Sequence, residues 1–201
     1  MYWINEGENR RFFDPNVENQ LILHSHLHYR LNDWDFGGGL TLSWIYAQIP
    51  EQLYNHSASE IRPFLEVSRE HKLGHVFFQN RIRIDNRFLE SSVDKSIWEE
   101  SYYVARLRYR AQLRLVLQQK DGKPTVGARI GDEIMLNSKR NTFDQNRVYV
   151  SVDFQLLRSL SVEPSYVFVY QQRLNKGEFF SRHVLRISLI HRMFTRNGAN
   201  G

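Results

Sequence analysis

The run His24-Ser25-His26-Leu27-His28 holds the residues of this sequence best suited to chemistry. On an extended strand, residues two apart project from one face, so the three imidazoles form a row and Ser25 turns away from it. Neighbouring imidazoles in such a row can chelate zinc, whose nitrogen ligands sit about 2.0–2.1 Å from the ion. Three along one strand spread too far for one ion, so a metal centre would need a ligand from a neighbouring strand. The expectation is therefore a hydrogen-bonded polar row, with no metal and no other cofactor. Lipid hydrolysis, the second chemistry to weigh, needs a nucleophile bonded to a base that a carboxylate orients. Ser25 adjoins His24 and His26, but neighbours on a strand diverge, and no Gly-x-Ser-x-Gly elbow occurs. No catalytic residue is expected.

Arginines form the second constellation. Arg81, Arg83 and Arg87 fall on one face together with Asp85, and Arg106, Arg108, Arg110 and Arg114 form a second row. Glu66, Glu133, Asp153 and Glu163 stand on the polar faces of other segments and can supply counter-charge. Three roles are open. The rows could be a structural network, a surface selective for anions, or a nucleic-acid surface. The last needs stacking aromatics interleaved with the basic groups; here aromatics and arginines take opposite faces, so no nucleic-acid partner is expected. Asp132-Glu133 and Glu99-Glu100 diverge for the same reason as Ser25 and His24. Gly37-Gly38-Gly39 precedes no helix, so it is no phosphate loop. It reads instead as a notch in a strand, over which Trp34 or Trp44 is expected to pack.

What must position these groups is a set of strands. Residues 19–31 alternate, with Leu21, Leu23, Leu27, Tyr29 and Leu31 opposite Gln20, His24, His26, His28 and Arg30. Asn32-Asp33 supplies a turn, after which Trp34, Phe36, Leu40, Leu42 and Trp44 resume an apolar face. The pattern recurs over 60–70, 75–88, 102–117, 125–136, 146–157, 160–172 and 182–194, with a strong turn at Asp121-Gly122-Lys123-Pro124. Residues 2–13 look extended but alternate badly. About ten strands with no crossover helix make an antiparallel meander. Runs of twelve or more residues exceed the usual soluble strand of five or six and suit a tilted membrane crossing of about nine to eleven. The reading is all-β: one antiparallel up-and-down closed β-barrel of the transmembrane type, covering 1–201, with 1–17 a truncated or irregular first strand and 195–201 a polar tail.

Composition agrees with that architecture without proving it. The 201 residues include no cysteine, so disulfides, thiolate metal sites and Cys nucleophiles are excluded. No apolar run is long enough for a spanning helix, and the mean hydropathy of −0.53 suits a barrel whose lipid-facing residues alternate with polar ones. The 27 basic and 22 acidic residues leave a net charge of only +5. Their sorting says more. All six lysines (Lys72, Lys95, Lys120, Lys123, Lys139, Lys176) fall in expected connections, whereas arginines fall inside strands. A confined polar space, where the guanidinium fork makes several hydrogen bonds at once, accounts for that division. Trp34, Tyr46, Trp98, Tyr102, Tyr103, Tyr149, Tyr170, Phe179 and Phe180 gather near strand ends, as interfacial girdles would. The start, Met1 to Glu6, lacks a secretory leader, so the chain is either in mature form or begins downstream of its true start.

Three central segments carry a resemblance: Arg62-Pro63-Phe64-Leu65-Glu66-Val67, Asn80 to Phe88 (NRIRIDNRF) and Ala105-Arg106-Leu107-Arg108-Tyr109-Arg110. With Phe143 to Val150 (FDQNRVYV) and Ser161 to Tyr166 (SVEPSY), they resemble the bacterial group known as domain of unknown function 2490, over about residues 18–194. The resemblance implies an outer-membrane-like β-barrel, common in Bacteroidetes-type bacteria, with no established activity and no functional residues to carry over. It also implies a leader and a fuller first strand ahead of this start. Barrels of this kind often end on an aromatic, for which Phe194, followed by Thr195 to Gly201, is the candidate.

The function expected from the sequence is thus a non-enzymatic barrel of the bacterial outer membrane, with an Arg-rich polar lumen. It would serve as a small pore or as a structural or partner-binding component. Its partners would be outer-membrane lipid and a membrane or periplasmic protein. The alternatives are a soluble calycin-like barrel holding a small apolar ligand, and an outer-membrane lipid hydrolase.

Overall fold

In a computed structural model, the described residues are 1–47, 57–91, 97, 99–120, 123–139, 142–172 and 177–194. Ten strands follow one another: β1 (Tyr2–Phe12), β2 (Glu18–Leu31), β3 (Trp34–Ile45), β4 (Ala58–Leu73), β5 (Val76–Glu90), β6 (Ser101–Lys120), β7 (Lys123–Asn137), β8 (Phe143–Gln155), β9 (Leu160–Gln172) and β10 (Phe179–Phe194). Each pairs antiparallel with its sequence neighbours, and β1 closes on β10 with Tyr2 opposite Phe194 and Phe12 opposite Val184. The sheet is a closed ten-strand meander, which removes every free edge.

Residues 2–12, irregular in pattern, form a full strand paired on both sides. Both of its faces carry polar groups: Glu6, Glu8 and Arg10 line the interior, while Asn5, Asn9 and Arg11 have the opposite parity. Hydrogen bonding to β2 and β10 therefore imposes the strand where alternation does not. Lys72, Lys120 and Lys123 lie at strand ends rather than in loops; Lys95, Lys176, Trp98, Asp121-Gly122 and the tail 195–201 fall outside the described residues.

Period-two side chains sort cleanly between the two faces of the wall. Leu107, Leu113 and Ile187 are 44%, 45% and 57% accessible on the outside, whereas Arg108 is 7% accessible. A soluble barrel would have the reverse, since apolar area gains by leaving water. Outer aromatics collect at both rims. Phe88 packs on Tyr103 and Tyr170 on Phe179 at one rim, and Trp34 packs on Phe36 at the other. Tyr102 and Tyr149 depart from the expected girdle and line the interior. Tyr149 shares the parity of Arg147 and Asp153, and its hydroxyl meets Gln112 at 2.5 Å.

The two rims differ in their connections. At one, two to four residues join β2–β3, β4–β5, β6–β7 and β8–β9; at the other, five to twelve join the remaining pairs. The tight turns use the left-handed region, with φ of 54° at Asn32 and 63° at Gly74, which suits Asn and Gly.

Candidate functional site: the charged interior

The barrel encloses a cavity of about 1250 Å³. Inward positions of β5, β6 and β7 bring together Arg81, Arg83, Asp85, Arg106, Arg108, Arg110, Arg114 and Glu133, while Glu66 arrives from β4. Six of these form a closed ring of ion pairs. Arg81 meets Glu66 at 3.2 Å and Glu133 at 2.7 Å, and Arg108 meets Glu133 at 2.7 Å and Asp85 at 3.3 Å. Arg83 completes the ring, 2.7 Å from Asp85 and 3.8 Å from Glu66. Registers explain the meeting: Arg83 stands opposite both Glu66 and Arg108, and Arg110 opposite both Arg81 and Glu133.

A second chain of pairs runs round the other wall. Arg114 and Arg129 share Asp153 at 2.7 and 3.3 Å, Arg129 continues to Glu163, and Arg186 links Glu163 at 3.3 Å to Glu8 at 3.7 Å. Arg10 also pairs with Glu8. Arg87 and Arg62 share Glu60, Arg106 meets Asp144 at 2.6 Å, and Arg110 donates to Gln79 at 3.0 Å. Seven interior carboxylates among the described residues thus each face two guanidiniums. In the confined bore this arrangement removes the repulsion that adjacent arginine rows would otherwise suffer. Glu8, Glu60, Asp144, Arg10 and Arg129 were not singled out from the sequence. Their signal was the same inward parity, set in strands where fewer charges accumulate.

The histidine row faces the same space. His24 Nδ1 lies 2.7 Å from Thr41 Oγ1. His26 Nδ1 lies 2.6 Å from His28 Nε2, and His28 Nδ1 lies 2.7 Å from Asp35 Oδ1. β2, not Trp34 or Trp44, fills the glycine notch. A Cβ on Gly37 would fall 2.6 Å from Cε1 of the His28 ring, and one on Gly39 would overlap the Ser25 carbonyl oxygen and the His26 Cβ. The tryptophans have the parity of Gly38 and take the outer face. Ser25 is also outside, donating to Asn5 Oδ1 at 2.7 Å and accepting from Trp3 Nε1 at 3.0 Å. Asn5 stands between Ser25 and His191 in the cross-strand row, so an amide occupies the place that a catalytic imidazole would need.

A family model described as Protein of unknown function (DUF2490) matches residues 1–179. The chain belongs to that family. The DUF2490 match takes in β1, ahead of the 18–194 stretch that carried the resemblance, and ends where β10 begins. No curated protein is similar enough in sequence to count as a relative. Among solved structures, the β-domain of the Bordetella autotransporter BrkA shares the DUF2490 fold with a TM-score of 0.51. Identity is 9%, and the similarity covers 94% of this chain and 97% of that one. The NanC porin (TM-score 0.48, 8% identity, 96% and 100% covered) and outer membrane phospholipase A from Escherichia coli (0.43, 8%, 94% and 91%) are more distant. The DUF2490 chain has the fold of an outer-membrane barrel.

Proposed function

We propose that this chain works in the bacterial outer membrane as a non-enzymatic barrel, a narrow basic conduit for small anions held rigid by its own ion pairs. One observation carries the reading: among the described residues, fifteen arginines line the cavity against ten Asp or Glu, and still outnumber the acids when Asp85 and Asp153, paired with them in the wall, are added. Pairing fixes the guanidiniums, and the surplus leaves a positive potential that a low-dielectric wall concentrates, raising the local density of anions. Membrane placement is supported by the apolar outer wall, the aromatic belts, and short connections at one rim opposed to longer ones at the other. That asymmetry matches periplasmic turns and extracellular loops, so the rim of Asn32 and Gly74 faces the periplasm. The non-enzymatic reading rests on Ser25, whose neighbours are Asn5 and Trp3 rather than a base.

Planar-bilayer recording of the folded, untagged chain under a potassium chloride gradient tests this. The expected reversal potential has the sign of chloride preference, and Arg110→Gln with Arg114→Gln should reduce it. Cation preference would overturn the reading. The closed six-membered ring favours a second one, in which the lattice seals the bore, and complete absence of conductance would select it.

A further inference from the structure

We infer that His26, His28 and Glu66 form a binding site for one divalent transition-metal ion, of which zinc is the best fit, inside the barrel. This goes beyond the conduit and does not depend on it. The three side chains reach one point because β3 contributes no side chain there. In the cross-strand row His28–Gly37–Glu66, the central residue is glycine, so groups from β2 and β4 meet across an intervening strand. The adjacent row His26–Gly39–Phe64 repeats the device, with the His26 and Phe64 rings 5.5 Å apart, edge to face.

The donor atoms suit a tetrahedral ion. Ligands at 2.0–2.1 Å put tetrahedral donors about 3.4 Å apart. His28 Nε2 and Glu66 Oε1 are 3.5 Å apart, and His26 Nδ1 and Glu66 Oε1 are 4.0 Å apart. The two imidazole nitrogens, at 2.6 Å, must part by less than an ångström, and their present contact is a hydrogen bond that an ion would replace. Glu66 is divided to match: Oε2 takes the Arg81 and Arg83 guanidiniums, leaving Oε1 turned to the histidines.

An outer layer orients the donors. Asp35 accepts from His28 Nδ1, which places the proton there and the free lone pair on Nε2, as ligating histidines commonly require. Tyr2 donates to Asp35 and stacks on the His28 ring at 5.0 Å. His24, bonded to Thr41, lies outside the cluster. The fourth position opens on the cavity, where water or a small anion would complete the shell.

The test is a titration of untagged, detergent-folded chain with cobalt(II), followed by zinc displacement. We expect one ion per chain, with the visible bands of tetrahedral cobalt bleached by one equivalent of zinc. His26→Ala, His28→Ala and Gly37→Ala should each weaken binding tenfold or more, and Asp35→Asn about tenfold, while His24→Ala leaves it unchanged. Heat-modifiable migration monitors folding of each variant. Absence of stoichiometric binding by the unaltered chain overturns the inference by itself. So does binding that survives His26→Ala and His28→Ala, or that His24→Ala removes as fully.

Discussion

The guanidinium carbon of Arg83 lies 3.5 Å from the centroid of the Phe64 ring, inside the barrel and against the ring of ion pairs. That contact explains an aromatic in the inward row of β4, between the charged Arg62 and Glu66. The ring's negative face adds a third partner to a cation already shared by Asp85 and Glu66. Phe64→Leu keeps apolar bulk but removes the π face, so it should lower unfolding stability by about 1–2 kcal/mol. Phe64→Ala, which also opens a cavity, should cost about 3–5 kcal/mol. Urea unfolding of the detergent-folded chain measures both, and an unchanged midpoint for Phe64→Leu would show that the contact contributes nothing.

Glu133 joins Arg81 and Arg108, each at 2.7 Å, with all three side chains largely enclosed. Glu133→Gln leaves two guanidiniums facing each other without their shared counter-charge, and breaking a buried pair in this way costs about 3–5 kcal/mol. Glu70→Gln makes the informative contrast. Its partner Arg30 is more than half exposed, so screening should hold that loss below about 1 kcal/mol. Equal urea midpoints for the two variants would argue against the lattice as a source of rigidity.

The barrel was legible wherever charge and bulk alternated strongly. Arg106-Leu107-Arg108-Tyr109-Arg110 gives the inside and outside of β6 without ambiguity, because the guanidiniums would be costly in lipid and the apolar side chains would gain nothing in a charged bore. β1 was obscure because Glu6 and Glu8 alternate with Asn5 and Asn9, and two polar faces carry no period. Partners were harder than faces. His28 and Glu66 are 38 positions apart and meet only through the registers of β2, β3 and β4, with Gly37 as the gap between them. Glycine at that spacing announced a close approach; parity turns Trp34 and Trp44 away from Gly37 and Gly39, and register decides which histidine stands opposite each.

Tyr149 and Gly131 show the same dependence. They are cross-strand partners, and a Cβ at residue 131 would overlap the tyrosine's phenol. Gly131→Ala should therefore push the ring aside, break its hydroxyl bond to Gln112 and destabilise the barrel by about 1–3 kcal/mol, as overpacking does. Pairing it with Tyr149→Phe checks the account. If the glycine serves to seat the ring and its bond, the double variant should lose less than the sum of the two single variants. Strict additivity would dismiss the connection.

Membrane placement itself can be measured by putting a charge on the outer wall at two depths. Ile187 stands midway along β10, with Pro164 and Asn9 beside it, and points outward. Leu73 ends β4 beside the Gly74 turn and is 70% accessible. In lipid, a guanidinium at the midplane costs about 2–4 kcal/mol and one near the interface about 0–1 kcal/mol. Ile187→Arg should accordingly depress folding into phosphatidylcholine vesicles far more than Leu73→Arg, as read by urea titration of tryptophan fluorescence. In a barrel bathed by water, both positions would be solvated, and neither substitution would cost more than a few tenths of a kcal/mol. Matching small losses at the two sites would place the outer wall in water instead of lipid.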